Sequence, residues 1–207
     1  MQEKDSGAPE AVASPNSPVS KNDSRDWEKV RLVKRIFGLP SILERYYCPR
    51  FHLDTDDERA HDYLILLHSN RIGVLCLAPS HPVIRKQLQV DEVDFRVNES
   101  LSRLDNKVKG KRKKGGQRVK KDSLLCTIRA GEESFKVPAC IPGALIEVNA
   151  RLTDDPSILS ADPFRSGFIA IILPPFSLEE QLRTAAYTNP DNYLEIRKDL
   201  IDARSRS

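Results

Sequence analysis

Between Asp62 and Leu173 the chain is broken into short apolar runs, each bounded by Gly, Pro, Asp or Asn, and this pattern limits the folds open to it. The runs cover residues 63–68, 72–77, 93–97, 124–129, 134–137, 144–148 and 168–173. Ser69-Asn70-Arg71 reads as the turn of a first hairpin, and Ala130-Gly131-Glu132-Glu133 as the turn of a second. Parallel strands need a crossover of a dozen or more residues, usually a helix, and little helical pattern separates these runs. Six or seven short strands therefore predict a mainly β domain, a small barrel or sandwich, rather than a parallel α/β sheet.

Helical patterns flank the β region. Over residues 26–37, Trp27, Val30, Val33, Ile36 and Phe37 recur at spacings of three and four, with Gly38 as the stop and Pro40 beyond it. Lys29, Arg31, Lys34 and Arg35 supply a basic opposite face, and residues 41–44 match a capping box. After Pro174-Pro175, residues 177–180 form a second capping box, followed by Leu178, Leu182 and Ala185 at helical spacing. Asn189-Pro190 opens a last helix with Tyr193, Ile196, Leu200 and Ile201 on one stripe. Residues 1–24, with only Val12 and Val19 as sizeable apolar side chains, predict a disordered tail. Ser14 and Ser17, each followed by proline in that tail, are candidate phosphate acceptors. The expected organisation is a tail (1–24), an amphipathic helix and short turn (25–45), a β domain (46–176) and a C-terminal helical segment (177–207).

A chain of 207 residues accommodates one ordinary domain with tails. No positively charged start leads into an apolar run, and no stretch of about 18 uncharged apolar residues occurs, so a soluble intracellular protein without membrane contact is expected. Cys48, Cys76, Cys126 and Cys140 form no C-x-x-C pair and predict reduced, mostly buried thiols. His52, His61, His68 and His81 are scattered along the chain, and no metal site is expected from them. Neither a phosphate-cradling glycine loop nor a nucleophile paired with a base is present, so no catalytic residue, metal or cofactor is expected.

Charge is concentrated in one place. Lys107, Lys109, Lys111, Arg112, Lys113, Lys114, Arg118, Lys120 and Lys121 fall within residues 107–121 with no acid among them. Removing these nine cations from the net +3 leaves the rest of the chain at −6. Gly110, Gly115 and Gly116 mark the segment as a loop. Three uses fit its chemistry: a nuclear-import signal read by an import receptor, a contact with an acidic protein, or a contact with nucleic acid. It holds no aromatic residue on which bases would stack, which argues against direct nucleic-acid binding.

Two resemblances narrow the reading. The order Gly143-Ala144-Leu145-Ile146-Glu147-Val148-Asn149, Asp155-Pro156, Asp162-Pro163-Phe164 and Gly167-Phe168-Ile169 resembles the lipoyl-carrier H-protein of the glycine cleavage system. That resemblance implies the barrel-sandwich hybrid fold of lipoyl and biotinyl carriers, which hold their cofactor on a lysine at a hairpin tip. Here Glu132 falls at the tip, where a carboxylate cannot form the amide, and Lys136 is expected on the return strand, facing outward between Phe135 and Val137. A lipoyl-carrier function is accordingly the weakest reading. Pro40-Ser41-Ile42-Leu43-Glu44-Arg45-Tyr46-Tyr47, Leu67-His68-Ser69-Asn70-Arg71-Ile72, Ser80-His81-Pro82-Val83 and residues 102–111 look like the Abitram (Simiate) family of actin-binding transcription modulators. This second resemblance implies a non-enzymatic protein that binds monomeric and filamentous actin and modulates filament assembly in filopodia and growing neurites. It further implies a place in nuclear speckles as well as the cytoplasm, and a role in transcription. The alternative is an RNA- or transcription-linked nuclear adaptor.

Overall fold

The computed structural model describes residues 46–56, 59–108, 115–184 and 187–204. The expected tail, the helix over 26–37 and the capping box over 41–44 lie outside the described residues. Along the chain run β1 (Tyr47–His52), β2 (Tyr63–His68), β3 (Gly73–Leu77), α1 (Pro82–Arg85), β4 (Glu92–Asp94), β5 (Arg96–Asn98) and β6 (Leu101–Ser102). There follow β7 (Arg118–Val119), β8 (Leu124–Ala130), β9 (Glu133–Pro138), β10 (Gly143–Val148), α2 (Arg151–Asp154), α3 (Ile158–Ala161) and β11 (Ala170–Leu173). A 3-10 turn at Phe176–Leu178 leads into α4 (Glu179–Thr184), and α5 (Pro190–Arg204) closes the described chain.

An antiparallel six-stranded sheet in the order β1-β2-β3-β11-β10-β7 forms one layer, and the three-stranded sheet β4-β8-β9 forms the other. Strand β2, Tyr-Leu-Ile-Leu-Leu-His, shows why the central run is apolar without alternation. Tyr63, Ile65 and Leu67 point into the core between the sheets, while Leu64 and Leu66 point the other way, into a second cluster with Tyr193 and Ile201 of α5. Both faces of the sheet are covered there, so both sets of side chains are apolar.

The structure corrects the strand expectations at three places. The β region starts at Tyr47, not near Asp62: β1 pairs with β2 along its whole length, Tyr47 opposite His68 and His52 opposite Tyr63. Its Pro49 conceals it as a strand in sequence, and it is tolerated because β1 is the edge of the sheet. The single strand expected over 93–97 is two strands parted at the buried Phe95, β4 pairing with β8 and β5 with β6. The run 168–173 pairs only from Ala170. The hairpin β8–β9 turns on Gly131 and Glu132, with Ala130 opposite Glu133.

The C-terminal helical pair is present, but the stripe on α5 is not the one the apolar spacing suggests. Tyr193 and Ile201 are buried, Ile196 is 52% exposed, and Arg197, one residue away, is 2% exposed. Arg197 Nε donates to Asp62 Oδ2 at 2.7 Å and Nη2 to Oδ1 at 3.1 Å. The Ser80 hydroxyl donates to Asp62 Oδ2 at 2.6 Å, and the Tyr193 hydroxyl to Ser80 Oγ at 2.8 Å. Tyr193 also stacks on Phe51, ring centroids 3.7 Å apart. A carboxylate from the start of β2 and an arginine from the last helix thus lock α5 to the sheet.

Candidate functional site

Of the nine cations in the basic segment, Lys107, Arg118, Lys120 and Lys121 are described and exposed. Lys109, Lys111, Arg112, Lys113 and Lys114 lie outside the described residues. What the structure adds is the neck from which the segment leaves the domain. Asn106 Nδ2 donates to the carbonyls of Leu145 and Ile146 at 3.0 and 3.2 Å, and its Oδ1 accepts the Gln117 amide at 2.8 Å. Gln117 Nε2 donates to the Ser102 carbonyl at 2.9 Å, and its Oε1 accepts from Arg103 Nη1 at 2.6 Å. Arg103, only 5% exposed, directs Nε and Nη2 to the Leu124 carbonyl at 3.0 and 2.9 Å.

Two glycines let the returning strand pass this clamp. Gly115 has φ +88°, and a Cβ there would stand 2.9 Å from the Lys107 carbonyl; a Cβ on Gly116 would stand 2.6 Å from the Leu145 carbonyl. Both ends of the basic segment are therefore held at one place on the domain, by groups from β10, from β6 and from the first residue of β8. Beyond the neck, Arg118 sits on the edge strand β7 opposite Ala144, and the Lys121 ammonium lies 5.7 Å from the Tyr187 ring centroid. Arg103 and Asn106 fall within the 102–111 stretch that carries the family resemblance, but the clamp they form with Gln117 is legible only once their separation in space is known.

The hairpin tip agrees with the expected placement of Glu132 and Lys136. Gly131 and Glu132 form the turn, Phe135 and Val137 are buried, and Lys136 between them is exposed. The Tyr63 hydroxyl donates to the Lys136 carbonyl at 3.2 Å, which ties its backbone to β2. Lys136 is thus a side chain on a paired strand and not the free end of a turn.

The histidines are closer together than their sequence positions suggest. The His61 and His81 rings are 5.6 Å apart, and both lie 5.3 Å from the Phe135 ring. His81 Nδ1 accepts the Val83 amide at 3.3 Å and caps α1, which assigns the hydrogen to Nε2. Burial, followed by the neighbouring His61 and then Arg85, brings the His81 pKa down to about 3 from 6.5. Among the described residues, no group of three or more His, Cys, Asp or Glu is placed to hold a metal. Cys76, Cys126 and Cys140 are buried and Cys48 is half-buried; burial, with a smaller effect of Asp162, pushes the Cys76 thiol up to about 12. No helix among the described residues is long and apolar enough to cross a membrane.

A pH dependence follows from His81. In the unfolded chain its imidazole takes up a proton below about 6.5, whereas the folded ring stays neutral to about 3. The unfolded state therefore binds more protons in that window, so the stabilising contribution is complete above 6.5 and is lost as pH falls. Urea titrations of wild type and His81→Asn, which keeps a capping acceptor, should show a steeper loss in wild type between about pH 6.5 and 5, where most carboxylates are still ionised. Equal slopes would remove His81 as the cause.

A mainly β domain with these two layers, a tight hairpin at Gly131-Glu132 and a helix-capped outer face is a barrel-sandwich hybrid of the lipoyl-carrier type. The family model of the Glycine cleavage H-protein matches residues 98–197. The crystal structure of a glycine cleavage system H protein from Mycobacterium marinum aligns with a TM-score of 0.46 at 16% identity, over 72% of this chain and 96% of that one. Protein Abitram of Danio rerio is 37% identical over 158 residues, 76% of this chain and 89% of the relative. The Homo sapiens protein of the same name is 36% identical over 166 residues, 80% and 91%, and that of Dictyostelium discoideum 35% over 139 residues, 65% and 75%. The chain belongs to the Abitram family.

Proposed function

We propose that this protein is a non-enzymatic actin-binding module that modulates filament assembly, with its basic segment as the contact and a second role in transcription in the nucleus. The observation that supports this reading is the clamped neck: Asn106 and Gln117 are held together at β10, so the segment with six of the cations leaves and rejoins the domain at one place, and Arg118, Lys120 and Lys121 are exposed beside it. An acidic protein such as actin matches that charge, and complementarity of this kind raises the association rate. The reading includes residence in nuclear speckles, the cytoplasm and actin-rich projections, with the basic run serving also as the import signal. Glu132 at the hairpin tip supports the non-carrier reading, since a lipoyl or biotinyl arm is joined to its carrier through a lysine amide.

The test is cosedimentation with filamentous actin at two salt concentrations, for wild type and for the variant with Lys111, Arg112, Lys113 and Lys114 all changed to Glu. The variant should pellet much less while its melting temperature stays unchanged. Wild-type binding should weaken with salt as the Debye length shortens to about 8 Å at physiological ionic strength. The same variant should accumulate outside the nucleus. Unchanged pelleting by the variant would remove the basic segment as the actin contact. Binding to nucleic acid that falls by orders of magnitude between roughly 50 and 200 mM salt would instead point to phosphate as the partner.

A further inference from the structure

The outer face of the six-stranded sheet is only partly covered by α5. Tyr193 and Ile201 of that helix lie over Phe51, Leu64 and Cys76. The same face carries an open apolar groove of ≈ 440 Å³ over Leu66, Val74 and Ile171, walled by Tyr47 and Phe168, and no described residue of α5 lines it. Arg151 and Arg165 stand at its rim. Tyr47, Val74, Phe168 and Ile171 are half-buried, so they keep apolar area that a further element would cover.

Tyr47 is also the first residue of β1, so the preceding chain is delivered at the wall of this groove. Residues 26–37 carry the apolar stripe Trp27, Val30, Val33, Ile36 and Phe37, and an amphipathic helix of that kind is stable in water only when its stripe is buried. As a helix the segment is about 18 Å long, and the nine residues from 38 to 46 reach at most about 30 Å. The tether thus spans the groove with slack and holds the segment at high effective concentration. At 100° per residue, Arg31 and Arg35 stand opposite the stripe, clear of Arg151 and Arg165. In such a helix Asp26 would fall on the stripe's side at its start, where its carboxylate would face the rim arginines.

We propose that residues 26–37 dock as a helix into this groove, stripe inward, as a second helical cover of the sheet beside α5, with Arg31 and Arg35 turned to solvent. The only tryptophan of the chain, Trp27, reports on it directly. In the full-length protein, Trp27 emission should be blue-shifted from that of the denatured chain, and acrylamide quenching several-fold weaker. Val33→Asp, outside the β domain, should return both to denatured-like values with the melting transition of the β domain retained. For the location, the paired variants Lys29→Cys and Arg151→Cys should yield an intramolecular disulfide on mild oxidation, identified by peptide mass, whereas Lys29→Cys with Glu132→Cys should not. Solvent-like Trp27 emission in wild type overturns the proposal, as does failure of the Arg151 cross-link. Shielding of Trp27 that disappears on dilution also overturns it, because the occupant would then be a second copy.

Discussion

Replacing Arg197 with alanine should lower the unfolding free energy by about 3–5 kcal/mol, the loss expected when one partner of a buried ion pair is removed and the other stays behind. Asp62 is fully buried, and its carboxylate accepts from Arg197, from the Ser80 hydroxyl and from the Asp54 amide, the last at 2.7 Å. Without the guanidinium the buried carboxylate loses its paired cation, and one of the links between α5 and the sheet is cut. Urea unfolding followed by circular dichroism measures the loss. A double variant, Asp62→Asn with Arg197→Met, should recover a large part of it, since it removes both charges and keeps much of the volume. A loss below about 1 kcal/mol for Arg197→Ala would mean that the pair behaves as a solvated surface contact.

Leu145→Asp should leave no folded domain under conditions where wild type is native, while Ile146→Asp should cost only about 1 kcal/mol. Leu145 is fully buried in the core, its amide donates to the Gln117 carbonyl at 2.8 Å, and its carbonyl accepts from Asn106. An unpaired buried carboxylate costs several kcal/mol against a total stability of about 5–15 kcal/mol, and here it would also disturb the neck of the basic segment. Ile146 is half-buried, at a bulge where the register with β11 shifts between Leu145 and Glu147. Melting curves of the two variants decide the point. A cooperative transition for Leu145→Asp near that of wild type would mean that Leu145 does not face the core.

Much of this fold is legible in the sequence because strands and turns are written in local chemistry. The runs at 63–68 and 124–129, the turn at Gly131-Glu132, the outward Lys136 and the final helix after Asn189-Pro190 all stand where apolar spacing and turn residues predict them. The basic segment is legible for the same reason, as composition alone marks it. Its neck is not, because Arg103 and Asn106 acquire meaning only when β10 and Gln117 arrive beside them.

Local pattern by itself determined that the region is mainly β, where its two principal hairpins turn and where charge collects. Tertiary structure alone decided which of Leu145 and Ile146 faces inward, since a β-bulge breaks the two-residue alternation from which a sequence would be read. It alone decided that Pro49 sits in an edge strand, where its missing amide hydrogen costs nothing. And it alone decided that Arg197 is buried: a cation on an apolar stripe reads as solvated until a carboxylate 135 residues away in the chain is folded against it, and no property of the helix itself encodes that partner.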